Sequence, residues 1–437
     1  MNTPSTTASE TAPLPLTEAQ IEQDILQLGK QAKAAALQLA LLSSDDKNKI
    51  LLAMAAGIRA ASDDILAANA LDIAAGEAKG LSSAMLDRLR LDTNRLEGIA
   101  SGVEQVANLP DPTNEIMDEW DRPNGIHIQQ LRVPIGVIGI IYESRPNVTS
   151  DAAVLCFKSG NATILRGGSE AIHSNKALAK ALQAGGEQAG LPKAAIQLIE
   201  NTDRASVKYM AQMDQYLDLI IPRGGKGLIE TVVSLARMPV IKHYDGICHL
   251  YVDAAADIDM AVNITVDAKT QKPSVCNALE TLLVDESVAP IFLPLVEKAL
   301  KAKGVELRAD AASQTYLAAG TTTATEEDWQ TEYLELILAV KTVANIDEAI
   351  DHINTYSSKH SDCIITQDEA QVQRFMTEID AACLFHNVST RFSDGEEFGF
   401  GAEIGISTDK LHARGPMGLK ELTSYQYRVT GTGQTKS

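Results

Sequence analysis

The chain lacks several things whose absence narrows what it can be. No apolar run approaches the ~18 residues of a membrane-spanning helix, so no membrane partner is expected. Cysteine is scarce and odd in number: Cys156, Cys248, Cys276, Cys363 and Cys383, with no CxxC pair. That excludes a disulfide framework and fits a reducing, cytoplasmic setting. Positive charge is in deficit, 38 Lys and Arg against 58 Asp and Glu, for a net charge of −20. Nucleic acid is therefore excluded as a partner. Any anionic ligand must be met by a local cluster of cations and helix N-termini, not by the global field. Phosphate-loop signatures are missing too. No GxGxxG follows a strand, and RGGKGL (223–228) has Gly227 where a Walker A motif needs Ser or Thr. His243, Cys248 and His249 lack metal-ligand spacing, so no metal is expected.

What is present reads as an α/β protein. At 437 residues the chain exceeds one hydrophobic core, and 45% hydrophobic residues suffice to pack two or three domains. The opening MNTPSTTASETAPLPL has neither a basic start nor an apolar centre. It is read as a disordered tail over 1–15, not a secretory signal. Thr17 and Gln20 spell a capping box before a helix to about Leu42. Further helices are expected from Ser44 to Arg59, from Ser62 onward, and from Ser83 to Ala107. Residues 126–132 alternate and follow the turn Arg122–Pro123–Asn124–Gly125, which suggests a hairpin. Apolar strands at 137–143, 162–167, 196–200 and 217–222 then alternate with helices, and 240–245 begins another strand. This is the pattern of a doubly wound parallel sheet. A second αβ series runs from His249 to Asn387. Between its elements, 306–330 is polar and reads as a surface connection. The final 424–431 alternates like an edge strand in need of a partner.

The segment QKPSVCNALET (271–281) places Cys276 among polar residues just before an apolar strand. A thiol there is presented to a carbonyl as a nucleophile, and Lys272 supplies a cation nearby. Taken alone, a cysteine such as Cys276 is more often a small apolar residue filling a core. Two strand-to-helix turns offer anion sites, Arg223–Gly224–Gly225 and the one after Arg166.

Three stretches together resemble a known family. They are VPIGVIGIIYESRPNVTSDAA (133–153) with the CFKSGNATILRGGSEA that follows, KPSVCNALETLLV (272–284), and NVSTRFSDGEEFGFGAEIGISTDKLHARGPMGLKELTSY (387–425). The chain resembles the gamma-glutamyl phosphate reductases of the aldehyde dehydrogenase superfamily from about Thr17 onward. The resemblance implies an aldehyde dehydrogenase-like fold: a Rossmann-like NADP domain (16–112 and 133–245), a catalytic αβ domain (246–423), and a β-hairpin arm for homo-oligomerisation (113–132 and 424–437). It implies NADPH-dependent reduction of L-glutamyl 5-phosphate to glutamate 5-semialdehyde, in the cytoplasm, with glutamate 5-kinase as a channelling partner. Cys276 is then the thioester-forming nucleophile. Its own N–H and Asn147 are the candidate oxyanion donors. Arg166, Arg223, Gly224, Gly225 and Glu332 are the candidate cofactor residues, and Arg145, Lys272, Arg391, His412 and Arg414 the candidate substrate residues. His243 stands where hydrolytic relatives carry a Glu base, which favours a phosphate-linked reaction. The alternative is a hydrolytic dehydrogenase of an amino-acid semialdehyde, with Asp245, two residues away, as the carboxylate.

Overall fold

The computed structural model describes residues 16–436, so the tail expected over 1–15 lies outside the described residues. The helical layer begins where the capping signals place it. Thr17 and Gln20 cap each other's backbone at the start of helix Glu18–Leu39, and Ser43 with Asp46 does the same for Ser44–Ala60. Helix Ser62–Ala78 follows. The single helix expected over 83–107 is two, Ser83–Leu89 and Thr93–Asn108. Arg90 turns extended, and the Asp92 side chain accepts the Arg95 N–H, so a new helix starts with its own cap.

This layer covers a four-stranded parallel sheet. Its order is Ile196–Leu198, Ala162–Gly167, Val137–Tyr142, Leu219–Arg223. The chain winds outward from Val137–Tyr142 in one direction and then returns to its other side with Leu219–Arg223. The switch point therefore lies beyond the ends of those two strands, at Tyr142 and Arg223. The central strands are buried along their whole length, which is why they read as unbroken apolar runs.

The second sheet has seven parallel strands, ordered Thr322–Thr323, Glu306–Ala309, Ile337–Val343, Leu279–Asp285, Cys248–Val252, Ser361–Ile365, Cys383–His386. Two expectations fail here. The 306–330 connection supplies Glu306–Ala309 to the sheet, because Leu307 and Ala309 are buried although their neighbours are polar. The strand expected at 240–245 does not form beyond one bridge, Val240 to Ile220. Lys242 is instead tied to Asp409 through its N–H (3.1 Å) and its Nζ (2.7 Å), so the segment crosses between the sheets in irregular form.

The hairpin is present: Ile116–Asp121 pairs with His127–Pro134. The last strand, Thr423–Thr430, finds its partner inside the chain, pairing antiparallel with His127–Pro134 and leaving its other edge open. Residues 404–422 join the first core through Ile404, Ile406, Met417 and Leu422. No helix among the described residues is long and apolar enough to cross a membrane.

Candidate active site

Cys276 sits in the loop 271–278 that joins helix Ile258–Thr270 to strand Leu279–Asp285. It is half-buried, whereas the other four cysteines are buried. Burial pushes the Cys156 and Cys363 thiols up to about 12, Cys248 well above its ordinary value, and Cys383 upward as well. Those four are inert, and Cys276 alone opens into a cavity, of about 380 Å³.

The loop is held from three sides. Gly246 lies so close beneath it that a Cβ there would collide with the Cys276 backbone. The Cys248 thiol reaches the Cys276 carbonyl at 3.2 Å. Asn277 accepts from Thr390 Oγ1 at 2.8 Å and donates to the Ser393 carbonyl at 2.9 Å. At the base, Lys269 and Glu280 are fully buried and joined at 2.6 Å, closing the stems of the loop. The Cys276 N–H makes no hydrogen bond to another described residue, so it is free to face an oxyanion.

The cavity is rich in charge. Arg88, Arg145, Arg223, Lys272 and Arg391 line it, together with Glu143, Asp394 and Glu403. None of these eight belongs to an ion pair among the described residues, although such pairs are frequent elsewhere. Desolvation and the neighbouring Arg88 and Arg223 draw the Arg145 guanidinium below its ordinary pKa, while Cys276 opposes them. Burial pushes the Glu403 carboxyl up, against the hydrogen bond it accepts from the Gly395 N–H at 2.8 Å.

The structure thus brings together six of the residues proposed from the sequence around Cys276: Arg145, Lys272, Arg223, Gly224, Gly225 and Arg391. Arg391 Nε donates to Gln271 Oε1 at 2.9 Å. The Arg223–Gly225 turn faces this cavity, and its Gly225 N–H is already taken by Glu143 at 3.0 Å. Asn147 does not line the cavity. Its amide donates to Asp151 at 2.8 Å in an adjoining cleft that shares Arg88, Arg145, Lys272 and Ser274. His412 and Arg414 are also elsewhere, because the short strands Gly405–Ser407 and Gly415–Met417 turn the loop between them away. His412 bonds the Glu421 carbonyl at 2.7 Å and Arg414 bonds Asp380 at 2.8 Å. Glu332 accepts the Gly246 N–H at 2.9 Å, so it braces the Cys276 loop from behind. Burial pushes its carboxyl up. His243 lines the cavity with Nδ1 2.9 Å from the Ile406 carbonyl. Asp245 is held by Lys226 at 3.0 Å.

Arg88, Glu143, Asp394 and Glu403 were not singled out from the sequence. Arg88 reaches the site only through tertiary folding of helix Ser83–Leu89. Asp394 and Glu403 lie inside the 387–425 stretch, whose acids carry no spacing signal.

A crevice of about 480 Å³ runs from the switch point, lined by Tyr142, Glu143, Arg166, Glu170, Thr202, Arg204 and Leu228. It shares Glu143 with the Cys276 cavity, so the two adjoin there. Its position at the carboxyl ends of the strands, beside the helix that starts at Lys226, fits a dinucleotide. Arg166 is in the wall, but its guanidinium is engaged with the carbonyls of Gly167 (3.1 Å) and Thr202 (2.9 Å). Arg204, exposed and without an ion pair among the described residues, is the free cation of this crevice. No group of three or more His, Cys, Asp or Glu suited to a metal ion occurs among the described residues.

Comparison with known proteins agrees with this geometry. The model of the aldehyde dehydrogenase family matches residues 5–320. A gamma-glutamyl phosphate reductase of Geotalea daltonii is 53% identical over 95% of this chain and 99% of its own length. One from Moorella thermoacetica is 53% identical over 93% of this chain and 97% of its own. The crystal structure of gamma-glutamyl phosphate reductase from Thermotoga maritima superposes with a TM-score of 0.93. It has 44% identity and covers 94% of this chain and 100% of that one.

Proposed function

Because the chain belongs to the aldehyde dehydrogenase family, in its gamma-glutamyl phosphate reductase branch, we propose that it reduces L-glutamyl 5-phosphate to L-glutamate 5-semialdehyde with release of phosphate, the second step of proline biosynthesis. The observation that carries this reading is the half-buried Cys276 in a cavity where five cations stand without ion-pair partners, in a chain of net charge −20. An acyl phosphate brings the negative charge those cations lack.

Cys276 attacks the acyl carbon as thiolate. The carbon–oxygen bond to phosphate breaks, phosphate leaves among the cations, and a thioester remains on Cys276. The Cys276 N–H faces the oxygen on which charge develops. When bound, the nicotinamide cofactor supplies the hydride that releases the acyl group as aldehyde. NADPH is the form proposed, with the 2′-phosphate on the Arg204 side of the crevice. Water is not activated against the thioester, because His243 stands at the position that a hydrolytic enzyme would give to a glutamate base, and Asp245 is engaged with Lys226.

The test runs the reaction in reverse. With glutamate 5-semialdehyde and NADP+, absorbance at 340 nm should rise only when phosphate is present. Formation of glutamate at a comparable rate without phosphate would overturn the reading in favour of a hydrolytic dehydrogenase. The open edge of Thr423–Thr430, with Tyr425, Tyr427 and Val429 exposed, is the proposed homo-oligomer contact. Deleting 424–437 should then yield monomers by light scattering, and retention of the full oligomer would place the contact elsewhere.

A further inference from the structure

We propose that Asp394 and Glu403 hold the α-ammonium group of the substrate, so that the enzyme reads the amino-acid head at a set distance from Cys276. The inference rests on the substrate reading above and adds the residues that decide which acyl phosphates are accepted.

Unpaired charges of both signs share one cavity. Cations alone would suit a phosphate or a simple dicarboxylate. Carboxylates left among them without ion pairs weaken binding of such a ligand, and keeping charge partly desolvated and unpaired is costly. The arrangement makes sense for a ligand that itself carries both signs. A γ-activated amino acid does: phosphate at one end, ammonium and carboxylate at the other.

Asp394 and Glu403 come together from the segment after the second sheet, which also carries Arg391, whereas Arg88, Arg145, Arg223 and Glu143 come from the first-sheet half of the molecule. Each of the two carboxylates has one oxygen fixed by backbone. Glu403 Oε2 accepts the Gly395 N–H at 2.8 Å, and Asp394 Oδ1 accepts the Glu396 N–H at 2.9 Å. The second oxygen of each makes no hydrogen bond to a described residue. The segment is in turn fastened to the residue after the nucleophile, through Asn277 Nδ2 to the Ser393 carbonyl (2.9 Å) and Thr390 Oγ1 to the Asn277 carbonyl (2.8 Å). Head group and reacting sulfur are thereby held in one frame, which turns charge recognition into a measure of chain length.

The test compares two aldehydes in the phosphate-dependent oxidation, glutamate 5-semialdehyde and 5-oxopentanoate, which lacks only the amino group. It uses wild type, Asp394→Asn and Glu403→Gln, with thermal midpoints recorded for each. Wild type should prefer the amino substrate in kcat/KM. That preference should shrink about ten- to hundredfold in either variant, the range of a charge-assisted contact. Equal kcat/KM for the two aldehydes in wild type overturns the proposal. So does an undiminished preference in both variants, or equal loss on both aldehydes in Glu403→Gln, which would place Glu403 at the reacting atoms. If one variant fails to fold, the wild-type ratio and the other variant decide. Absence of phosphate-dependent turnover with either aldehyde overturns the substrate reading itself, a separate failure.

Discussion

Two sets of charges flank the loop that carries Cys276, and the protein treats them in opposite ways. On the cavity side, Arg145, Arg223, Lys272, Arg391, Asp394 and Glu403 have no ion-pair partner among the described residues. At the base of the same loop, Lys269 and Glu280 are wholly removed from water and bonded to each other at 2.6 Å. Burial draws Lys269 down and pushes Glu280 up, and each partner counters the other's shift. Glu280 Oε1 also takes the Leu334 N–H at 3.2 Å, which anchors the turn bearing Glu332. A charge satisfied by the protein is architecture, and a charge left unsatisfied in a concave site is kept for a ligand. That distinction is open to attack by mutation.

The largest effect is expected at the sulfur itself. Cys276→Ala should lower turnover on the order of 10³-fold or more, because no second open thiol is present among the described residues. NADPH binding, read by fluorescence, should change by only a few-fold. Turnover within tenfold of wild type would remove Cys276 from the chemistry. Next comes the clasp. Glu280→Leu leaves a buried lysine without its partner and should cost roughly 3–5 kcal/mol of stability. The double change Lys269→Met with Glu280→Leu should recover most of that loss, as measured by denaturant unfolding. If the double variant is no better than the single one, the pair is not what holds the loop. On the cavity side the pattern should invert. Arg223→Ala should lower kcat/KM by about ten- to hundredfold with little change in thermal midpoint. A large drop in midpoint would mean Arg223 belongs with the clasp.

The same contrast explains which parts were legible in the sequence. The strands Val137–Tyr142 and Ala162–Gly167 announce themselves because parallel strands buried on both faces are continuous apolar runs. Glu306–Ala309 does not, because it has four residues and only two of them point inward. The break at Arg90 is a matter of one cap, Asp92, set inside a pattern that otherwise remains helical. In the site, Cys276, Arg145, Lys272 and Arg391 lie in stretches with a strong family pattern, so sequence alone leads to them. The same stretch also suggests His412 and Arg414, which satisfy a carbonyl and Asp380 instead. Whether a charge finds a protein partner is a tertiary fact, and that is why Asp394 and Glu403 were missed while Arg414 was taken.

Buried histidines sharpen the comparison through pH. His360 is wholly buried beneath the site, edge-to-face with His243, and burial pushes it down to about 4. His352, packed against Trp329 and His249, is pushed down to about 2 by burial, with His249 and Lys341 adding to the shift. Both stay neutral in the folded state while the unfolded chain takes up protons below 6.5. Their contribution to stability is therefore present above that pH and is lost as pH falls toward the folded values. Between pH 8 and pH 5.5 the two together should cost roughly 2–3 kcal/mol, at 1.36 kcal/mol per unit. Urea unfolding across that range checks it. His352→Phe should flatten the slope, and an unchanged slope would assign the acid sensitivity to other groups.

The smallest effect tests the distinction in the crevice proposed for the cofactor, where two arginines repeat it. Arg166 is buried, with its donors committed to Gly167 and Thr202, whereas Arg204 is exposed and has no ion pair among the described residues. By the rule drawn from the loop, Arg166 is the wall and Arg204 is the reader of an added phosphate. Arg204→Ala should raise the KM for NADPH by about five- to tenfold and leave that for NADH nearly unchanged, since an exposed charge contact is worth roughly 1 kcal/mol. Arg166→Ala should instead raise both constants and lower the thermal midpoint, because it leaves the Gly167 and Thr202 carbonyls without their guanidinium donor and loosens the strand end beside the switch point. Selective loss of NADPH in Arg166→Ala, with Arg204→Ala unaffected, would reverse the two roles. It would also show that a guanidinium already hydrogen-bonded to backbone can still discriminate a phosphate, which is the point at which partner count ceases to separate architecture from recognition.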